Sequence, residues 1–308
     1  MHNIELVYYE SGIQVKFYVE NVLNNEDKIV EFEREDIEKN NDDKVVNCKQ
    51  IDFDEFLNDE EWKRKEYQRT SFIRTKNSIY YLARSGHWIW FLTLTLSSDK
   101  VDRYNLDECS KKLRKWLNNF KVRKCPDMYY LIVPEQHKDG AWHFHGLIGG
   151  CSNLSMVDSG HKDGSGAVIY NWIDYKLGFS TATAVKDTAR VSSYICKYIT
   201  KDICGSLGGR QRYFVSKNAP RAEKFVCDLN WRVKNKYFEW LVENSSHIKK
   251  VKNAYNEVWY FECDYFPLDM DAEEYPQPKE NVNYDKLCYE FKLSNLGFKR
   301  CPVDWSDL

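Results

Sequence analysis

The chain has 308 residues, of which 43% are hydrophobic; this is enough for one large core or two smaller ones and excludes a disordered or fibrous protein. No apolar run reaches the roughly 20 residues that a membrane-spanning helix needs, and the first residues have no signal-peptide pattern. The 10 Cys form no CxxC pair, so we expect reduced thiols in a soluble, cytoplasmic protein rather than a disulfide framework or a zinc site.

Charge is distributed unevenly behind a formal net charge of −2. Residues 1–59 carry 6 Lys and Arg against 16 Asp and Glu, whereas residues 60–125 carry 16 against 7 and residues 186–225 carry 9 against 3. A basic middle can neutralise phosphates, the sequence-independent part of nucleic-acid affinity. A solvated helix face explains a charge run equally well, so the neighbouring chemistry has to decide between the two interpretations.

The N-terminal region, residues 1–57, is predicted to be a small acidic appendage. Ile4–Tyr9 and Ile13–Val19 have strand composition and flank a Ser11-Gly12 turn. Glu31–Asp43 is highly charged, which indicates a loop or an exposed helix. A basic helix is expected over residues 60–83, at the start of a domain that spans residues 58–225.

The domain over residues 58–225 is predicted to have the order β-α-β-β-β-α-β. Asn105, with Glu108 three residues later, caps the first helix of this pattern, which has an apolar stripe. The order favours an α+β domain on an antiparallel sheet. Residues 226–308 are aromatic and mildly acidic, and they show no functional motif. We expect strands at His87–Leu96, Met128–Glu135, Trp142–Gly149, Phe179–Val185 and Arg212–Ser216, the second helix at Asp187–Ile203, a turn at Gly205–Gly209 and a loop at Ser152–Gly166.

Two histidines and one glutamate are predicted to converge on one face of this sheet. Alternation along a strand points His143 and His145 to the same side. Folding the hairpin about Asp139 brings Glu135 opposite His143 on that side. Two imidazoles and one carboxylate suit Mg²⁺ or Mn²⁺, with positions left open for water and a phosphate oxygen.

Two features leave this metal site open to question. Pro134 removes a strand donor, and a bulge at that position would shift the register of the neighbouring glutamate. Two strand histidines that face solvent, or that are hydrogen-bonded in the sheet, are the simpler interpretation of an isolated pattern. His137, in the turn, is a weaker fourth candidate ligand.

The predicted helix at 187–203 presents two phenols among ammonium groups. On a helix, Tyr194, Lys197, Tyr198 and Lys201 fall within about a 100° arc. A phenol with a pKa near ~10 needs positive charge or a metal-polarised phosphate nearby to act as a nucleophile, and the lysines would position the phosphate and stabilise negative charge. An ordinary amphipathic helix explains this stretch taken alone. Combined with the histidine pair, it predicts phosphodiester cleavage through a covalent 5′-phosphotyrosyl intermediate.

These motifs together resemble the HUH endonucleases, and look most like the two-tyrosine replication initiators of small single-stranded DNA phages and related plasmids. They follow the family's order over roughly residues 85–220. Arg210–Ser216 also looks like a strand that follows this helix in phage initiators. The resemblance rests on Phe91-Leu92-Thr93-Leu94-Thr95, on Glu135 with His143-Phe144-His145-Gly146-Leu147, and on Tyr194 and Lys197-Tyr198 with Lys201.

The resemblance implies a five-stranded antiparallel sheet with flanking helices, a Mg²⁺ or Mn²⁺ ion on Glu135, His143 and His145, and nucleophilic Tyr194 and Tyr198. It implies a site- and strand-specific endonuclease and ligase that binds single-stranded DNA at a replication origin and starts rolling-circle replication. A GxxxxGK[ST] motif does not occur, so a helicase and polymerase of the host are expected partners, in the bacterial cytoplasm if a phage or plasmid encodes the protein. The candidate DNA contacts are Arg84, Thr93, Thr95, Arg190, Arg210 and Arg212.

Three alternative functions remain open at this stage. A relaxase usually has a third metal-binding histidine, and a single-strand transposase is usually shorter with one tyrosine. A non-catalytic single-strand-binding module would share the basic blocks and the aromatic residues. A nucleotide hydrolase of the histidine-triad kind would need a third alternating histidine where Leu147 stands.

Overall fold

The computed structural model describes residues 1–22, 53–199, 212–252, 257–267 and 299–301. The chain divides into two compact units, which we call the terminal unit and the central unit. Among the described helices, none is both long and apolar enough to cross a membrane. The predicted segment Glu31–Asp43 and the predicted turn Gly205–Gly209 lie outside the described residues.

The terminal unit combines strands from both ends of the chain in one antiparallel sheet. Its elements are β1 (His2–Tyr9), β2 (Gly12–Val22), β10 (Glu223–Cys227), α4 (Trp231–Asn244), β11 (His247–Lys252), β12 (Glu257–Cys263) and β13 (Lys299–Cys301). The sheet order is β11-β12-β2-β1-β10-β13. The β1–β2 hairpin agrees with the prediction, and its turn closes on the pair Tyr9 and Gly12, where the positive φ of 135° favours glycine.

Pairing between distant segments gives this unit its core. Strand β2 pairs with β12, which places Val15 beside Phe261, and β1 pairs with β10. The apolar side chains of these strands pack against Tyr237, Trp240 and Leu241 of α4. The N-terminal and C-terminal regions, considered separately from the sequence, therefore contribute strands to one sheet.

A buried ionic group lies in the same sheet. The Glu5 carboxylate is 2.5 Å from Lys16 Nζ and 2.8 Å from Lys224 Nζ. Burial alone would raise the pKa of Glu5, but the two ammonium groups outweigh it and lower the pKa from 4.5 to about 2. The charged carboxylate is therefore the stable form in the folded protein.

This lowered pKa predicts acid sensitivity. The stabilisation from Glu5 is complete above pH 4.5 and is lost as the pH falls toward 2, because the unfolded chain binds the proton first. A shift of this size corresponds to roughly 3 kcal/mol of unfolding free energy. Urea unfolding at pH 7 and at pH 3 measures the difference. A Glu5→Gln variant should be less stable at pH 7 and should lose less stability on acidification; equal acid losses in the two proteins would contradict this explanation.

The central unit is built on a second antiparallel sheet, with helices on both faces. Its elements are α1 (Phe53–Ser85), β3 (Trp88–Leu96), α2 (Leu106–Lys124), β4 (Tyr129–Gln136), β5 (Trp142–Gly149), β6 (Met156–Lys162), β7 (Val168–Trp172), β8 (Gly178–Ala184), α3 (Thr188–Ile195) and β9 (Phe214–Val215). The strand order in this sheet is β6-β7-β8-β3-β5-β4-β9.

The α+β class and antiparallel pairing agree with the prediction, but the predicted number of five strands is wrong. The five expected strands form the contiguous set β8-β3-β5-β4-β9, and two further strands, β6 and β7, extend the sheet beyond β8. Strand β6 and the turn after it occupy the segment 152–166 that we expected to be a loop. That strand is mostly exposed and contains Gly, Ser and Asp, so it lacks the alternation by which strands are recognised.

Helix α2 covers one face of the central sheet. It begins as predicted, since the Asn105 side chain accepts hydrogen bonds from the backbone N–H groups of Asp107 and Glu108. Its apolar stripe packs on the side chains of Leu92, Leu94 and Phe144. The opposite face packs against α1 and α3 through residues that include Leu82, Val133 and Ile195.

The second predicted helix is shorter than expected. It runs from Thr188 to Ile195 rather than from residue 187 to residue 203. Past Ile195 the chain tightens into a turn, in which the Lys197 N–H donates to the Tyr194 carbonyl at 3.0 Å and the Tyr198 N–H donates to the Ile195 carbonyl at 3.3 Å. Lys197 and Tyr198 therefore follow the helix instead of lying on one of its faces.

One pair of cysteines corrects the expectation of reduced thiols. Cys125, at the end of α2, and Cys151, after β5, form a disulfide with a Cα–Cα distance of 6.0 Å. The two residues are 26 positions apart and belong to no recognisable spacing motif, so the sequence does not indicate the pair. Free thiols do occur at Cys109, Cys196, Cys227 and Cys263, all of them buried.

Removal of this disulfide should destabilise the protein under oxidising conditions. Closing a loop of 26 residues restricts the unfolded chain and contributes about 3.5 kcal/mol in the chain-entropy model. The urea midpoint of a Cys125→Ser/Cys151→Ser variant should therefore lie well below that of the oxidised wild type. The two proteins should converge when the wild type is reduced with dithiothreitol; a midpoint that no reductant changes would show that the bond does not form in solution.

Candidate active site

The histidine pair lies on β5, and its glutamate lies on the neighbouring strand β4. Pairing between these strands is continuous from Tyr129 to Gln136, and it sets Glu135 directly opposite His143 as the turn geometry predicts. Pro134 pairs in step with its neighbours and introduces no bulge there. The turn closes with the Gly140 N–H donating to the His137 carbonyl at 2.9 Å.

Two threonines of β3 hold the imidazole rings. The Thr95 hydroxyl is hydrogen-bonded to His143 Nδ1 at 3.1 Å, and the Thr93 hydroxyl is hydrogen-bonded to His145 Nδ1 at 3.2 Å. When each hydroxyl accepts from Nδ1–H, both Nε2 atoms keep a lone pair for a metal. We had expected these threonines to contact DNA; the structure places their hydroxyls on the histidines.

The glutamate contacts the second histidine of the pair. Glu135 Oε2 lies 2.6 Å from His145 Nε2. Burial lowers the pKa of His145, and the adjacent Glu135 carboxylate only partly opposes this. Burial also lowers the pKa of His143, and the nearby His137 and Arg103 lower it further. Both imidazoles are therefore neutral near pH 7, which is the form that binds a metal.

These residues fit a divalent metal by the chemistry of their donor atoms. Two neutral imidazoles and one carboxylate make a mixed nitrogen and oxygen set, and the close contact of Glu135 with His145 is where a cation would bind both. Among the described residues, however, no group of three or more His, Cys, Asp or Glu side chains is already arranged as a metal site. His137 is close by, with its ring centroid 5.0 Å from that of His143.

Aromatic rings join the tyrosines to the histidine pair. The Tyr198 ring stacks on the His145 ring with centroids 3.5 Å apart and planes at 12°. Tyr194 meets Tyr198 edge-on at 5.5 Å. Phe91 of β3 contacts all three, at 6.1 Å from His145, 5.3 Å from Tyr194 and 6.3 Å from Tyr198. The phenols and the histidines thus form one cluster on a single sheet face.

The two tyrosines occupy different environments within this cluster. Tyr198 is half-buried, and its burial, its hydrogen bond with Tyr194 and the Glu135 carboxylate all raise its pKa above the usual range. Tyr194 is 43% exposed, and the Lys197 ammonium lies 5.1 Å from its ring centroid. The more exposed phenol therefore has positive charge beside it, whereas the stacked phenol is held in its neutral form.

The predicted basic contacts are divided between surface and interior. Arg190 is exposed near Tyr194, whereas Arg84 is only 8% exposed. Arg212 is half-buried and donates to the hydroxyls of Ser71 and Thr75 at 2.7 Å each, so it ties the segment before β9 to α1. Lys201 and Arg210 lie outside the described residues, and the proposed roles of all these side chains in binding DNA stay predictions.

Phe91 is the functional residue that the sequence analysis passed over. Its ring packs on both tyrosines and stacks against His145. The signal was available in the strand pattern, since Phe91 alternates with Thr93 and Thr95 and therefore lies on the same face as the histidine pair. A large apolar residue on a polar strand face indicates that another element packs there.

Comparison with known proteins identifies the class of this region. Residues 89–203 match the model of a family described as Replication-associated protein ORF2. The matched segment, just over a third of the chain, runs from β3 past α3 and contains the histidine pair, Glu135 and both tyrosines. No curated protein matches the chain, and no solved structure matches it. The match supports a Rep-like replication initiator family and a role in DNA replication.

Proposed function

We propose that this protein is a nicking-joining endonuclease of the HUH type that starts rolling-circle replication by cutting one strand of DNA at an origin. The observation that carries the proposal is the stacking of Tyr198 on His145 at 3.5 Å, with Glu135 Oε2 2.6 Å from the same histidine. Candidate nucleophiles and candidate metal ligands are thereby in direct contact. The family match supports the replication role.

In this proposal a tyrosine replaces one end of the DNA strand. The phenolic oxygen attacks phosphorus, a tyrosine–phosphate bond forms to the 5′ end, and the bond between phosphorus and the 3′ oxygen breaks. The departing 3′ oxygen takes up a proton and becomes the 3′-OH that a polymerase extends, while the phenol releases its proton to water. The joining reaction runs the same steps in reverse, with a 3′-OH attacking the phosphotyrosine.

The side chains have distinct tasks in this reaction. Glu135, His143 and His145 would hold a Mg²⁺ or Mn²⁺ ion, which when bound supplies charge to polarise the scissile phosphate. Thr93 and Thr95 orient the imidazoles. Lys197 would stabilise negative charge at the phosphate near Tyr194. The DNA end that remains on one tyrosine leaves the second phenol available to resolve the copied circle.

A non-catalytic single-strand-binding protein is the second candidate function. The observation in its favour is that Glu135 and His145 are bonded directly to each other, with no group of three ligands already assembled among the described residues. Such a protein would bind DNA through the same face without forming a covalent bond. A helicase and a polymerase from the host are the partners that either function would require in replication.

Covalent capture of DNA separates these two functions. The protein is incubated with Mn²⁺ and with single-stranded oligonucleotides that tile both strands of its replicon, and the products are resolved on a denaturing gel. We expect a protein–DNA adduct on one strand only, and no adduct in the presence of EDTA. Binding without adducts on any oligonucleotide of either strand would favour the non-catalytic function and overturn the endonuclease proposal.

A further inference from the structure

Strand β8 continues the face that carries the histidine pair. It pairs with β3 so that Phe179, Thr181 and Thr183 lie beside Thr95, Thr93 and Phe91 respectively. The alternate residues Ser180 and Ala182 are buried in the opposite direction, at 4% and 1% exposure. The outward residues of β8 therefore form a row parallel to the two threonines that hold the histidines.

Phe179 is the unusual member of this row. Its side chain is 61% exposed, although a phenylalanine normally gains free energy by burial. It lies across the ladder from Thr95, whose hydroxyl is bonded to His143. An exposed aromatic ring one strand away from a candidate phosphodiester site is suitably placed to stack on a nucleobase.

Concave surfaces lie at both ends of the row. Beside Phe179 is a cavity of about 550 Å³ that is also lined by Thr95, Lys100 and Lys176. At the other end is a cavity of about 540 Å³ that reaches Tyr194 and Arg190 and is walled by the turn between β6 and β7, residues 163–167. The two strands that the sequence analysis missed therefore build one wall of a groove next to the candidate nucleophile.

The charges around these cavities suit a phosphate backbone. The cations are Lys100 and Lys176 at one end, and Lys186 and Arg190 at the other. Three carboxylates are present as well, and each accepts local hydrogen bonds. Asp99 accepts from the Ser97 hydroxyl, Asp163 accepts from Ser165 and from the Ala167 N–H, and Asp187 accepts from the Arg190 N–H at the start of α3. The ammonium and guanidinium groups are thus the charged groups left to contact phosphates.

We propose that the outward row of β8 is a binding track for unpaired DNA, in which Phe179 stacks on a base on one side of the scissile phosphate and the groove under the β6–β7 turn takes the other flank. The proposal rests on the proposed nicking function for its position relative to the cut. Its occupant is single-stranded nucleic acid, because a stacked base has to be free of its partner strand and because threonine hydroxyls and scattered cations contact the backbone without reading sequence.

Fluorescence anisotropy of the full chain with a fluorescein-labelled oligo-dT of about 20 nucleotides, in EDTA and at fixed salt, tests the stacking residue. Stacking on an aromatic ring tolerates any base, and its loss weakens binding by about fivefold or more. Phe179→Ala should show this loss, while Phe179→Trp should keep or improve the affinity. Ile173→Ala removes another exposed apolar side chain of the same unit, with 46% exposure, and should bind like the wild type.

A bulky side chain in the groove tests the other flank. A Cβ added at Gly164, which lines the groove, meets no atom within 4 Å, so Gly164→Trp can fill the groove without disturbing the fold. It should weaken binding of the same oligonucleotide by about fivefold. Val157→Trp, at a 52% exposed position of β6 that does not line the groove, is the matched control and should have no effect.

The outcomes separate this inference from the proposed function. Wild-type affinity in both Phe179→Ala and Gly164→Trp would overturn the track even if the wild type forms covalent adducts. Phe179-dependent binding in a protein that forms no adduct would support the track and overturn the nicking function. Failure of the wild type to bind the oligonucleotide at all would overturn the track as well.

Discussion

A Tyr194→Phe/Tyr198→Phe double substitution is expected to abolish covalent attachment of DNA. The change removes both phenolic oxygens of the ring cluster and leaves the rings themselves in place, so the stacking on His145 and the packing on Phe91 are retained. No other nucleophile is proposed for this site. The measurement is the yield of protein–DNA adduct on a denaturing gel with Mn²⁺, which should fall below detection.

The single variants and one control complete this test. Tyr194→Phe and Tyr198→Phe report separately which phenol takes the phosphate, since one is exposed beside Lys197 and the other is stacked with a raised pKa. Tyr67→Phe, at a 73% exposed position of α1, should leave the adduct yield unchanged. Adducts that persist in the double variant would show that the nucleophile lies elsewhere.

His143→Ala is expected to abolish metal-dependent cleavage while DNA binding remains. Loss of a direct ligand should reduce cleavage by more than about 100-fold, because the loss of residues that only orient a ligand already costs about 10–100-fold. Affinity for single-stranded DNA in EDTA should stay within about twofold, since it depends on phosphate contacts by basic side chains. Cleavage is measured across a Mn²⁺ titration and binding by anisotropy.

His137→Ala is the matched comparison for this variant. Its ring lies 5.0 Å from that of His143 and is exposed in the hairpin turn. We expect most of the cleavage to survive this substitution, because the hairpin register directs only His143 and His145 to the face with Glu135. An equal loss of cleavage in both variants would indicate a three-histidine site, and an unaffected His143→Ala protein would contradict the assigned ligand set.

The site is predictable from sequence where local geometry determines it. A turn centred on Asp139 and the two-residue period of a strand are enough to place Glu135 opposite His143, and the structure has this register. The same alternation places Thr93 and Thr95 on the histidine face. What the pattern does not contain is the direction of their hydrogen bonds, which depends on the distance between β3 and β5.

The remaining differences arise from contacts between distant segments. The proximity of Tyr198 to His145 depends on the end of α3 at Ile195, and a helical period extended to residue 203 would place Lys197 and Tyr198 on one helix face instead. Strand β6 is stabilised by pairing with β7 and has little hydrophobic alternation of its own. The terminal unit joins β2 to β12 across a long stretch of chain, which no local pattern indicates.

Mass spectrometry of the covalent adduct tests the central claim most directly. Trypsin cleaves after Arg190, Lys197 and Lys201, so Tyr194 and Tyr198 fall in separate peptides, residues 191–197 and residues 198–201. After cleavage of an origin oligonucleotide with Mn²⁺ and digestion with nuclease and trypsin, a nucleotide phosphate should remain on one or both of these peptides. A nucleotide attached to any other peptide, or to none, would contradict a tyrosine-dependent nicking mechanism at this site.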